Sequence, residues 1–261
     1  MSQQRRARME PFRRHLIAHR GLFDNATDHP ENTLPAFDRA VRAGYGIELD
    51  VHLTRDGQVV VTHDDDLRRI CGEDVTVAGS TYEELRRHRV LASDQPMPLF
   101  TEVLDVIGGR VPLIVEIKDD GDVVATCRAA DAILRDYDGV YCVESFDPRA
   151  VLWYRRNRPD VIRGQLSADF TRTPFTRSRA ANWLLTSMVF NPLTCPDFLA
   201  YNHEHSASYP LWLWRALLGA VPVAWTLKSQ ADLDRARHRF EVFIFDSFLP
   251  DGATDPDGHA G

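Results

Sequence analysis

Gly46-Ile47-Glu48-Leu49-Asp50-Val51 alternates apolar and acidic residues with a period of two. In an extended strand that spacing turns Ile47, Leu49 and Val51 to one face and Glu48 and Asp50 to the other. Further along, Ile114-Val115-Glu116-Ile117-Lys118 repeats the pattern at the end of an apolar run that begins at Val111. A third carboxylate and an amine thereby share a face at the end of a buried strand. With these two segments, β-rich runs occupy 15–18, 46–51, 111–117, 139–144, 161–166, 197–201, 221–225 and 242–245 in the sequence pattern. Helical patterns separate them, the order expected of parallel strands joined by crossover helices. Eight such runs in 261 residues predict an α/β fold, a closed TIM (β/α)8 barrel.

The first helix has the clearest signals. Asn32 or Thr33 can cap it, Pro35 fits its first turn, Gly44 can end it, and Ala36, Phe37, Ala40 and Val41 form an inward stripe. Further helical patterns cover 101–107, 122–136, 148–157, 178–186, 209–218 and 230–239. Between 51 and 101 the alternation breaks: an extra β-like run at 59–62 and a short helical pattern at 82–87 predict a small elaboration between strands 2 and 3, over the barrel mouth. Residues 1–261 are expected to form a single domain with its core at about 15–250, and frayed ends at 1–8 and 252–261.

Composition narrows the function classes. A net charge of −7 argues against a nucleic-acid partner, which is held mainly by clustered Lys and Arg. Cys71, Cys127, Cys142 and Cys195 lack metal-knuckle or redox-pair spacing and read as reduced thiols. The apolar run behind the basic N-terminus is too short for a signal-peptide core, so a cytoplasmic location is expected. Residues 211–225 are apolar, yet they contain Arg215, Gly219 and Pro222 and fall short of about 20 residues. They are read as a packed helix followed by a buried strand, not an integral membrane segment. The oligomeric state is left open.

His19, Glu48 with Asp50, Glu116 with Lys118, Glu144, Gln165, Trp225 and Asp246 all fall at the C-terminal ends of expected strands. In a barrel those ends share one face, where barrel enzymes carry their chemistry. Glu48 and Asp50 alone fit surface acids bonded to neighbouring Arg or backbone as well as they fit a site. Three converging carboxylates with Glu116 repel one another unless a cation neutralises them. Oxygen-only ligands point to one divalent ion, Mg2+ or Ca2+, with Mn2+ a further candidate. His19 and His63 each lie just past a β segment, and imidazole titrates near neutrality, so the pair can divide proton transfer. A lone histidine is more often structural; His52 shares the face of Asp50, and the other histidines are read as surface or loop residues. Arg20 can grip a phosphate oxygen through its planar fork and Lys118 can add a compact positive charge.

Ile17-Ala18-His19-Arg20-Gly21, Pro30-Glu31-Asn32-Thr33, Ile47-Glu48-Leu49-Asp50-Val51, Thr54-Arg55-Asp56-Gly57 and His63-Asp64 follow in that order. Glu116-Ile117-Lys118, Ser145-Phe146 and Trp225-Thr226 come after them. Joined in this order, the motifs resemble the glycerophosphodiester phosphodiesterase family over about 16–250. The resemblance implies a TIM barrel, a divalent metal held by Glu48, Asp50 and Glu116, and a His19/His63 acid–base pair. It also implies hydrolysis of a small glycerophosphodiester to sn-glycerol 3-phosphate and an alcohol, with Arg20, Lys118 and Trp225 at the substrate and Glu31 in support. Three segments depart from the family pattern: the long 21–30 loop, Leu227-Lys228-Ser229, and Phe245-Asp246-Ser247-Phe248. Lying around the mouth, they bear on the leaving alcohol more than on the reaction. One alternative is a lysophospholipase D or phosphoinositide phospholipase C-like activity, with Trp212 and Trp214 touching a bilayer. Another is a barrel that only binds a phosphorylated ligand.

Overall fold

The computed structural model describes residues 2–118, 120–174 and 176–252. Its strands are β1 (Ile17–His19), β2 (Gly46–Leu53), β3 (Val59–Val61), β4 (Leu113–Ile117), β5 (Tyr141–Ser145), β6 (Ile162–Ser167), β7 (Phe198–Asn202), β8 (Val221–Leu227) and β9 (Val242–Phe245). All except β3 pair in parallel in the order β1-β9-β8-β7-β6-β5-β4-β2, and β1 pairs with β2 to close the barrel. The eight expected runs are these eight strands, with ends displaced by no more than two residues.

Strand parity sorts the side chains into two cores. Ile17, Ile114, Cys142, Ile162, Phe198, Val221, Val223, Val242 and Ile244 pack inside the barrel. Ala18, Ile47, Leu49, Val51, Leu113 and Val115 point outward against the helical layer, where Phe37, Ala40 and Val41 of helix Leu34–Arg42 meet them as predicted. The interior alternates large and small residues: a Cβ on Gly164 would lie 2.1 Å from the Phe198 ring. Register then sets neighbours at the C-terminal ends, His19 beside Glu48, Asp50 beside Glu116, and Glu116 beside Glu144.

β3 lies antiparallel on β2 and opens the elaboration, whose own small core is Val60, Leu67, Val77, Leu85 and Met97. Its helix Tyr82–Leu85 begins at a Thr81/Glu84 capping box. Residues 211–225 resolve as a helix ending at Leu218 and the start of β8, and no described helix is long and apolar enough to cross a membrane. Trp212 and Trp214 are partly buried against the outer core and donate their indole N–H groups to Ser206 O and Ser187 O.

The N-terminal segment departs from expectation. Ser2–Arg8 and Glu10–Arg13 are helical, and Met9 and Phe12 are fully buried with the interior cluster. They close the barrel end opposite the polar face, while Arg5 and Arg8 pair with Asp197 and Arg6 and Arg13 pair with Glu241. Two apolar plugs and ion pairs hold the segment, which is why it shows no apolar periodicity. The expected fraying at 253–261, and at Met1, lies outside the described residues.

Candidate active site

Glu48, Asp50 and Glu116 reach the polar end of the barrel from β2 and β4, and one oxygen from each lies within 4.8 Å of the other two. All three are buried. Lys118 Nζ sits 3.1 Å from Asp50 and 3.0 Å from Glu116, and Arg20 Nε lies 3.5 Å from Asp50. Burial, followed by repulsion from Asp50, Glu116 and Glu144, pushes Glu48 well above the usual carboxylate range. Burial pushes Asp50 the same way, but Lys118 and Arg20 outweigh it and hold Asp50 well below that range. Burial also raises Glu116, against the pull of Lys118. Charge crowding of this kind is what a divalent ion relieves. Two oxygens bonded to one Mg2+ or Ca2+ at about 2.0–2.6 Å stand at most about 4–5 Å apart, so the trio fits such an ion in ligand type and in spacing.

His19 and His63 line one cavity with Glu48 and Glu116, of about 390 Å³. His19 Nδ1–H donates to Asp246 at 2.8 Å, which leaves Nε2 3.8 Å from Glu48. Burial, opposed by that hydrogen bond, keeps His19 below the ordinary imidazole pKa. His63 Nδ1 is held by Asp64 at 2.5 Å, and Asp64 in turn takes Arg69 Nε at 2.6 Å. Arg69 also forks onto Glu31 at 2.8 and 2.9 Å, and Glu31 accepts Arg20 Nη1 at 2.6 Å. The elaboration is thus stitched to the barrel mouth through Glu31. Burial raises the Glu31 carboxyl, but Arg69 and Arg20 bring it down to about 2.

Several sequence readings change role. Asn32 is not the helix cap: Thr33 holds that position, and Asn32 instead donates Nδ2 to Asp50 at 3.0 Å. Gln165 sits at a strand end but points outward, donating to the Ser145 and Phe146 carbonyls, while Leu166 lines the cavity. His52 is buried, with Nε2 3.1 Å from the His63 carbonyl, so it braces the chain at His63. Trp225 lines the cavity, edge-on to Phe146, with a buried indole N–H that has no partner among the described residues. Asp246 was visible as a strand-end acid but not as the His19 partner. Arg69 carried no signal, because its partners Asp64 and Glu31 meet only when the elaboration folds against the barrel mouth.

The sequence pattern of the glycerophosphoryl diester phosphodiesterase family matches residues 19–214. The chain belongs to that family. A glycerophosphodiester phosphodiesterase of Bacillus altitudinis is 39% identical over 110 residues, covering 40% of this chain and 44% of the relative. Lysophospholipase D GDPD1 of Homo sapiens is 35% identical over 121 residues, covering 41% and 37%. The matched stretch therefore spans less than half the length of either relative. Among solved structures of the glycerophosphodiester phosphodiesterase fold, one from Parabacteroides distasonis superposes with a TM-score of 0.71 at 23% identity, covering 89% of this chain and 92% of that one. An Oleispira antarctica phosphodiesterase in complex with the product sn-glycerol-3-phosphate gives 0.72 at 21%, with the same coverage. Both share the closed barrel.

Proposed function

We propose that this chain hydrolyses glycerophosphodiesters to sn-glycerol 3-phosphate and an alcohol, using one divalent cation and His19 with His63. The observation that carries the reading is the convergence of Glu48, Asp50 and Glu116 within 4.8 Å beside both imidazoles in one cavity. The family match and a relative's printed activity support the same reaction.

Glu48, Asp50 and Glu116 would hold the ion, which supplies Lewis-acid stabilisation of charge on a phosphoryl oxygen. Arg20 and Lys118 add positive charge beside that position, and Trp225 offers its free indole N–H to substrate. Asp246 keeps the His19 proton on Nδ1, so the neutral ring presents Nε2 as an acceptor. His19 takes the proton of the attacking substrate hydroxyl, the glycerol 2-OH. His63, held by Asp64, gives a proton to the departing alkoxide. The resulting cyclic phosphate opens when water attacks and the two imidazoles exchange roles.

The test is release of glycerol 3-phosphate from glycerophosphocholine by the full chain, with chelator and then with Mg2+, Ca2+ and Mn2+ supplied separately. Turnover that stops with chelator and returns with an ion is the expected result. No release with any of the three favours a barrel that only binds. A lysophosphatidylcholine arm tests the lipid reading, and turnover faster than on glycerophosphocholine would replace the small substrate with a lipid.

A further inference from the structure

One buried carboxyl in the cavity has an oxygen with no hydrogen-bond partner among the described residues. Glu144 stands near the end of β5, beside Glu116 of β4 and Gly164 of β6. Its parity is that of Cys142, which packs inside the barrel, so its side chain faces inward. It lines the cavity at 2% exposure, and its Oε2 is buried without a hydrogen bond. Among the described residues no Lys or Arg forms an ion pair with it, and it lies outside the trio whose oxygens approach within 4.8 Å. Its backbone is fixed: Gln165 donates to the next carbonyl, Ser145 O, and Ser145 Oγ donates to Ile117 O.

A buried carboxyl almost always has a partner, and beside Glu116 this one adds repulsion. Four carboxylates then face a site that Lys118 and Arg20 neutralise only in part. Hard divalent ions keep waters in their shell, and outer carboxylates that accept hydrogen bonds from such waters tune affinity. We propose that Glu144 is an outer carboxylate of the cation site, accepting a hydrogen bond from ion-held water without bonding the ion. This rests on the cation reading given above and adds to it a positioning residue outside the three ligands.

The experiment is calorimetric titration of Mn2+ and Mg2+ into the full chain without substrate, for wild type, Glu144→Gln and Glu144→Asp, beside thermal melts of each metal-free protein. Glu144→Gln is expected to weaken ion binding about 10- to 100-fold, the usual range for a lost outer partner. Its metal-free melt should be unchanged or higher, because an amide of nearly the same shape replaces a buried carboxyl that has no protein partner on Oε2. Glu144→Asp, which keeps the charge, should bind the ion more tightly than the Gln variant. A Gln variant that binds within twofold of wild type overturns the proposal. So does one whose metal-free melt falls together with affinity, which marks a merely structural residue. A wild type that takes up neither ion refutes the cation reading itself, a result distinct from either.

Discussion

Asp246→Asn isolates the claim that a carboxylate from the last strand sets the working form of His19. The 2.8 Å bond joins an imidazole N–H to a carboxylate whose side chain is 9% exposed, so water screens it little. A hydrogen bond to a charged group contributes about 1.5–3 kcal/mol. That interaction strengthens as positive charge develops on His19 during proton transfer, so its loss should fall on kcat. At about 1.4 kcal/mol per decade, kcat should drop about 10- to 150-fold while KM stays within about threefold. The sign of the pH effect also follows. Asp246 raises the His19 pKa against burial, so its removal lowers that pKa and moves the acid limb of kcat/KM to lower pH. Glycerol 3-phosphate release, coupled to its dehydrogenase and read across pH 5–9, measures both. A variant with kcat within threefold of wild type and an unmoved acid limb would show that Asp246 does not govern His19.

Replacing either His19 or His63 by Ala should lower kcat by about a hundredfold or more under saturating metal, and near-normal turnover in both variants would refute the acid–base pairing. Glu31→Gln should cost up to ~3 kcal/mol at pH 7, given a carboxyl brought from 4.5 to about 2. A depressed carboxylate stabilises fully above its unfolded pKa and ceases to as pH falls through its folded one, so the gap in urea stability should narrow between pH about 4.5 and 2; a gap that stays constant from pH 7 to 3 speaks against the clamp. Gly164→Ala places a methyl 2.1 Å from the Phe198 ring and should destabilise by about 1–3 kcal/mol, visible as a Tm loss of several degrees. An unchanged melt would contradict the interior packing described for β6 and β7.

Much of the site was legible because a strand reports its own geometry. Period two placed Glu48 with Asp50 and Glu116 with Lys118, and eight runs implied a barrel that gathers their ends on one face. Parity could mislead where a run's phase was ambiguous, as at Gln165, one residue away from the inward Leu166. Asn32 looked like a cap because caps and site residues draw on the same short polar side chains.

Taken alone, the order of amino acids determined the number and direction of the strands, the face each acid takes, and the end of the barrel where the chemistry collects. These are local properties, set by alternation within a few residues. Only the closed structure decided that Asp246 meets His19 across 227 positions, that Arg69 ties Asp64 to Glu31, and that Glu144 is left unpaired beside Glu116. Such partnerships depend on which strands become neighbours when β1 joins β9 and β2, and on how the elaboration folds over the mouth. Closure is a property of the whole sheet, and no short stretch of chain records it.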